Sequence, residues 1–265
     1  MKALVLADLD DTLFQTRRKV PAGVPERDLV VASALADGTP SGYSTPVQRA
    51  LLELLAGATL VPVTARSREA LGRTTVAARP AVCANGGCIV DADGRADPEW
   101  HAHLSGLAAR GTSVEEVFAR LDRACADLDV RRWIVAEDGL GLYAVAKENG
   151  AGTGEALGAL VDGPLGRALP AGWRVHLNGN NLALSPPWLA KRAAVAHLLP
   201  RLLGGRADVP VVGLGDSLSD AGFMDLCHFA LAPTGSQLWG ALAAASPWVP
   251  SGEASRAPAA GASGA

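Results

Sequence analysis

Ala3-Leu4-Val5-Leu6-Ala7-Asp8-Leu9-Asp10-Asp11-Thr12 is a short apolar run that ends in two carboxylates spaced two residues apart. The run is too short to cross a membrane and has the composition of a strand buried on both faces. On an extended chain, residues i and i+2 project to the same side, so Asp8 and Asp10 converge where the strand ends. Open α/β sheets place their ligands at the carboxyl ends of their strands. Two nearby carboxylates repel each other unless a proton or a cation lies between them. The pair therefore points to a Mg2+ site with one acid left for proton transfer. An ordinary Asp-rich turn closing a strand is the alternative that this stretch alone leaves open.

After this stretch, Gln15 to Tyr43 is polar and carries Pro and Gly, and reads as loop with one short element. Ser44-Thr45-Pro46 then opens a helix over Val47 to Leu55, with a hydroxyl N-cap and Pro at the first helical position. Thr59 to Val63 reads as a second buried strand ending in Thr64-Ala65-Arg66-Ser67. A helix over Arg68 to Ala78 leads to a third strand, Ala81 to Ala84, closed by Asn85-Gly86-Gly87. This alternation implies a parallel sheet with right-handed crossovers. From Cys88 to Pro186 the pattern changes: a strand from Ile89 into a turn at Gly94, a helix over Val114 to Leu128, and a hairpin (Trp133 to Ala136, Leu142 to Ala146) about Glu137-Asp138-Gly139. A helix over Gly154 to Val161 and strands over Trp173 to Leu177 and Leu182 to Ser185 follow. The parallel pattern resumes with a helix over Leu189 to Leu203 and a strand over Val209 to Leu214, which ends in Gly215-Asp216-Ser217-Leu218-Ser219-Asp220. Strands at His228 to Ala232 and at Trp248-Val249 complete the sheet. The expected architecture is a doubly wound α/β core, residues 1–87 and 187–250, with an inserted α+β domain, residues 88–186. Residues 251–265, rich in Ala, Gly and Ser, read as a disordered tail.

With 265 residues, 49% of them hydrophobic, the chain can bury a substantial core. A net charge of only −3 gives no sign of a nucleic-acid or anionic-membrane partner. Cys83, Cys88, Cys125 and Cys227 lack CxxC or zinc spacing and read as reduced core thiols. Neither a signal peptide nor a membrane-spanning run is visible, so a cytoplasmic enzyme is the expectation. Lysine is scarce, at only four residues, which gives weight to Lys191 at a helix start.

Four polar signals thus stand at the ends of elements of one sheet: Asp8-Leu9-Asp10-Asp11-Thr12, Thr64, Lys191, and Gly215-Asp216-Ser217-Leu218-Ser219-Asp220. Their order and placement resemble the haloacid dehalogenase-like hydrolase superfamily. The position of the insert, between Thr64 and Lys191, is that of its type-2 cap. Asn85-Gly86-Gly87-Cys88-Ile89-Val90 and Leu182-Ala183-Leu184-Ser185-Pro186 resemble the cap junctions of Cof-type and sucrose-phosphatase-like members. Two departures stand out: Ala190-Lys191-Arg192 replaces a frequent Lys-Gly pair, and Ser219 replaces a frequent Asn. Neither removes a charged group.

The resemblance implies Mg2+-dependent hydrolysis of a small phosphate monoester, a sugar or polyol phosphate, through an aspartyl-phosphate. A phosphate monoester is a dianion, so positive charge must gather around it before an anionic nucleophile can attack. In this reading Asp8 is the nucleophile and Asp10 the acid and base. Asp8, Asp216 and the Asp10 carbonyl hold Mg2+, with Asp220 a further ligand or a support for the metal. Lys191 supplies the remaining positive charge, Thr64 binds the phosphoryl group, and Thr12 fixes the loop. Arg66, Asn85, Gly86, Arg131, Arg132, Lys147 and Asn180 are candidates for substrate contact, each with a solvated or structural role as the alternative. Arg66 fits an ion pair equally well, and His176 and His197 read as structural. A phosphomutase or phosphotransferase, or a non-catalytic binding protein on the same fold, remains the alternative. The residues leave the substrate and the oligomeric state open.

Overall fold

The computed structural model describes residues 1–76, 78–150 and 152–249; the tail expectation for residues 251–265 lies outside them. In chain order the elements are β1 (Leu4–Ala7), β2 (Val30–Ala34), β3 (Pro40–Ser44), α1 (Pro46–Leu54), β4 (Thr59–Pro62), α2 (Arg68–Leu71), β5 (Ala81–Cys83) and β6 (Cys88–Val90). Next come α3 (Pro98–Ala108), α4 (Val114–Ala124), β7 (Val130–Glu137), β8 (Leu140–Glu148), α5 (Glu155–Asp162), α6 (Pro164–Arg167), β9 (Arg174–Asn178) and β10 (Asn181–Ser185). The chain returns through α7 (Lys191–Leu203), β11 (Val211–Leu214), α8 (Leu218–Met224), β12 (Phe229–Leu231) and α9 (Gln237–Ala245).

The central sheet is parallel, in the order β12-β11-β1-β4, and is extended towards β5 by a parallel bridge between Val63 and Val82. From β1 the chain winds first to β4 and later to β11, so the sheet reverses direction at β1. Open α/β sheets bind their ligands outside the strand ends at such a switch point, and Asp8 directly follows β1 there. Successive β1 side chains enter opposite layers. Leu4 and Leu6 pack with Val61, Trp100, Val195 and Phe223, whereas Val5 and Ala7 pack with Leu13, Phe14, Leu71 and Leu214. Leu4, Val5 and Leu6 are fully buried, each worth roughly 1.5–3 kcal/mol. Together they offset the crowding of charge at the strand's end, where an uncompensated buried ion costs several kcal/mol.

The inserted sheet is antiparallel, in the order β7-β8-β10-β9. One face packs α4 and α5 against Ala144, Ala146, Leu182 and Leu184. The other places Tyr143, Val145 and Ala183 towards Ala84 and Leu189 of the core. A doubly wound α/β core with an inserted cap is the architecture expected from the sequence. All four cysteines are free, and Cys83, Cys88 and Cys125 are buried. No helix among the described residues is long and apolar enough to cross a membrane.

Several local expectations need correction. The stretch expected as loop forms the hairpin β2–β3, held by Ala34 N donating to Arg73 O (3.0 Å) and Thr75 N to Ala32 O (2.8 Å). Those same contacts stop α2 at Leu71, short of the expected Ala78, because Thr74 and Thr75 turn to pair with the hairpin. Helix α3 went unanticipated, although Asp97 caps it with Pro98 at the first position. Its Trp100 and Leu104 pack in the core cluster. Helices α6 and α9 were also unanticipated. Trp248 and Val249 form a turn closed by Val249 N on Ser246 O (3.4 Å) and are not a strand.

Candidate active site

Asp8 stands at the last rung of the β1–β11 ladder, its N–H donating to Leu214 O at 2.9 Å. The chain then makes a tight turn in which Leu13 N returns to Leu9 O (2.9 Å) and Asp11 takes a left-handed φ of 63°. Helix α1 pins this turn. Gln48, which completes a capping box with Thr45, donates from Nε2 to Thr12 O at 3.2 Å. Thr12 is thereby aimed towards the loop after β11, where its hydroxyl donates to Asp216 Oδ1 at 3.5 Å.

On the far side, Asp220 folds back from α8. Its Oδ2 accepts from Asp216 N (3.2 Å), Ser217 N (3.0 Å) and Ser217 Oγ (2.8 Å). Gly215 permits this, since a Cβ there would lie 2.4 Å from Asp220 Cβ. Lys191 Nζ donates to Asp220 Oδ1 and to Asp8 Oδ1, each at 2.7 Å, with all three side chains buried. Lys191 opens α7, and Gly86 lets that helix start close in. Gly86 has φ +96°, and a Cβ would meet Ala190 O at 2.4 Å. Asn85, also left-handed, donates its N–H to Thr64 O at 3.0 Å. Asn85 and Gly86 therefore act here through the backbone, shaping the floor of the site.

Asp8, Asp216 and Asp220 bring one oxygen each within 4.8 Å of one another, a group able to hold a metal ion. Hard carboxylate oxygens suit a hard divalent cation. Burial, reinforced by Asp220 and Asp11, pushes the Asp216 carboxyl up to about 7. Burial likewise raises Asp8, against the pull of the Lys191 ammonium. Burial alone would lower Lys191, but Asp8 and Asp220 outweigh it and hold the ammonium above its ordinary value. The acids thus outnumber the one buried lysine, and a cation placed between Asp8 and Asp216 would relieve the excess. Both Asp220 oxygens already have donors, which leaves Asp8 and Asp216 the more available ligands.

Thr64 is fully buried at the end of β4, its Oγ1 accepting from Arg66 N at 3.1 Å. Arg66 forks onto Asp10, with Nε to Oδ2 and Nη2 to Oδ1 both at 2.7 Å. It also lies 5.1 Å over the Phe14 ring. The two ends of β1 and β4 are thereby joined by a bidentate pair that engages both Asp10 oxygens.

Of the cap candidates, Arg131 and Lys147 are direct cross-strand neighbours on the core-facing side of the sheet. Arg132 points the other way, to Cys125 O (2.8 Å) and Asp122 (2.8 Å). Asn180 is buried in the β9–β10 turn, donating to Glu148 O at 3.0 Å. Neither of these two shares that core-facing row. His197 packs on Trp100 at 5.1 Å, a structural place. His176 shares the core-facing row with Val145 and Ala183, and its imidazole is lowered by burial and by the Lys191 ammonium. Sequence reasoning missed that position, along with the Lys19–Asp11 ion pair and the Tyr143 hydroxyl donating to Ala65 O at 2.9 Å. The period-2 alternation of β8 and β9 carried a signal for Tyr143 and His176, but only once the buried face was known.

No family model and no curated protein sequence matches the chain. Among solved structures it resembles the sucrose-phosphatase of Synechocystis, at 14% identity and a TM-score of 0.52, over 92% of this chain and 96% of that one. A Thermoplasma acidophilum protein aligns at 16% identity and a TM-score of 0.50, over 89% and 87%. The C-terminal domain of a Candida albicans trehalose-6-phosphate phosphatase aligns at 15% identity and a TM-score of 0.49, over 84% and 73%. At such identities the likeness concerns architecture alone. The chain has a haloacid dehalogenase-type fold, a parallel α/β core carrying an inserted cap built on an antiparallel sheet.

Proposed function

We propose that the chain is a Mg2+-dependent phosphatase that hydrolyses a small phosphate monoester, a sugar or polyol phosphate, through an aspartyl-phosphate on Asp8. The observation that carries this reading is the buried Asp8–Lys191–Asp220 chain beside Asp216, set at the switch point of the sheet. Asp8 and Asp216, with the Asp10 carbonyl, would hold the ion. When bound, Mg2+ supplies positive charge opposite the phosphoryl oxygens.

The chain's own groups do the rest. Lys191 keeps one Asp8 oxygen fixed by its hydrogen bond, so the other is presented to the phosphorus. That oxygen bonds to phosphorus as the ester P–O bond breaks, and Asp10 gives its proton to the departing alkoxide. Asp10 then takes a proton from water, whose oxygen bonds to phosphorus and releases Asp8. Before the first step Asp10 has to leave the Arg66 fork and take up a proton from solvent water, which makes that pair a resting arrangement of the acid. Thr64 would donate to the phosphoryl group from the end of β4. The Synechocystis protein, a sucrose-phosphatase solved with sucrose and phosphate, fits a substrate of this size.

The test is phosphate release from a panel of sugar, polyol and simple phosphate esters. Free inorganic phosphate is expected with Mg2+, none with EDTA, and poor replacement by Ca2+, whose larger shell spoils in-line geometry. Phosphate retained on an isomerised product would indicate a mutase. Full activity in EDTA, or none on any ester, would contradict the proposal.

A further inference from the structure

The core-facing side of the cap sheet carries one row that nothing in the phosphoryl chemistry requires. The strand registers align Arg131 of β7, Lys147 of β8, Asn181 of β10 and Asn178 of β9 side by side. Residues at one level of a sheet point to one face. That face is fixed by Tyr143 and Val145, which alternate with Lys147 and pack towards the core. Arg18, from the turn region that follows Asp10, reaches the same end of the cap. Its Nη2 lies 4.0 Å from where a Cβ of Gly179 would stand, in the turn joining β9 to β10.

Arg18, Arg131 and Lys147 have no carboxylate within ion-pair distance among the described residues. By contrast, Arg132 on the opposite face is paired with Asp122 and Arg66 with Asp10. Like charges directly across two strands destabilise a sheet. Lys147 is also partly buried, and its ammonium is lowered by burial first and then by Arg131 and Arg18. The nearby acid, Asp10, has both oxygens on Arg66. The remaining members of the row are amides, which can add donors. An unneutralised cation pair, its lysine partly buried and amide donors beside it, costs stability and has no structural counterpart. It is complementary to an anion.

Its place sets it apart from the phosphoryl site. Tyr143 is anchored at Ala65, beside Thr64, and Lys147 lies four residues further along β8, roughly 13 Å at the strand rise. The row therefore looks down on the leaving-group side, near Asp10. Resting on the phosphatase reading, we propose that the alcohol half of the substrate carries a second anion, a carboxylate or a second phosphate group, held by Arg131, Lys147 and Arg18.

The experiment compares binding of matched esters by calorimetry on Asp8→Asn protein with Mg2+, so that turnover plays no part. One pair is phosphoglycerate against glycerol phosphate, which differ by a carboxylate. The other is fructose bisphosphate against fructose monophosphate, which differ by a phosphate. The anion-bearing member of one pair should bind about tenfold tighter or more, and the pair that shows it identifies the anion. Adding Arg131→Gln and Lys147→Gln together should bring that ratio to about one. Arg132→Gln, on the other face, should leave it as it was. Because a repulsive pair is removed, the ligand-free melting temperature of the Arg131→Gln, Lys147→Gln protein should equal or exceed that of its parent. Equal binding within both pairs, or a preference that survives the double substitution, would overturn the proposal. If the preference is present while no ester is hydrolysed by wild type, the subsite stands and the phosphatase reading fails. Hydrolysis without any preference sinks only the subsite.

Discussion

Lys191 is one of only four lysines and the one that is buried, held between Asp8 and Asp220. A buried cation with two carboxylates cannot be removed cheaply, since either acid would be left uncompensated. Asp10 is the mobile partner in this arrangement, because its side chain is half exposed and tied only to Arg66. Asp10→Asn should therefore slow esters with poor leaving groups far more than p-nitrophenyl phosphate, whose phenolate needs little protonation. Parallel steady-state assays check this, and equal losses on both would assign Asp10 another role. Asp216 offers a test by pH. Its carboxyl lies at about 7 in the folded protein against an ordinary 3.8, so between those values the folded state keeps a proton the unfolded chain has lost. Stability of the metal-free protein should thus fall as pH rises through that window, with Asp8 acting in the same direction. Measured by thermal melts at about pH 5 and about pH 8, wild type should lose at least about 1 kcal/mol, or about 2–4 °C, more than Asp216→Asn. Mg2+ should restore wild type but not the variant. An equal fall in both proteins would contradict the placement of Asp216.

At the scale of elements, the site depends on how closely α7 approaches the end of β5. Gly86→Ala puts a methyl 2.4 Å from Ala190 O at a left-handed φ, so the start of α7 and with it Lys191 must shift. The expected cost is about 1–3 kcal/mol in urea unfolding, with a loss of phosphatase activity larger than that stability loss explains. Wild-type stability in this variant would mean that the approach is not tight. β1, β4, β5 and β11 were legible because buried parallel strands are plain apolar runs, and Asp8, Thr64 and Asp216 because each closes such a run. The hairpin β2–β3 was not, since Pro40-Ser41-Gly42-Tyr43-Ser44 has little strand character of its own. It is held by tertiary contacts, such as Arg66 Nη2 donating to Ser33 Oγ at 3.3 Å. The Asp10–Arg66 pair spans 56 residues and exists only because β4 lies beside β1. No local pattern announces such a pair. Arg131 and Arg132 are adjacent in sequence and looked alike there. The pleat sends one to the core-facing side of the cap sheet and the other to α4.

Across the whole molecule, core and cap meet around the same loop that carries Thr64. Tyr143 donates to Ala65 O, and Glu137 at the tip of the β7–β8 hairpin accepts from Arg68 N at 2.7 Å. The cap is thereby tied to the loop after β4; in the proposed reaction it would exclude water and present its cationic row to the leaving group. In the proposed reaction the core motifs bind only phosphate and metal, so choice among esters would fall to Arg131 and Lys147 of the cap with Arg18 of the core. All of this rests on Asp8 acting as a nucleophile. The direct measurement is to mix enzyme, Mg2+ and acetyl phosphate, quench rapidly in acid, reduce with borohydride, and locate the modified residue by peptide mass. Reduction of an aspartyl-phosphate converts the residue to homoserine. Homoserine at position 8 is expected, absent without Mg2+ and absent in Asp8→Asn, which should also lose turnover by several orders of magnitude while remaining folded. Full phosphate release with an unmodified Asp8, or near-normal turnover in Asp8→Asn, would contradict it.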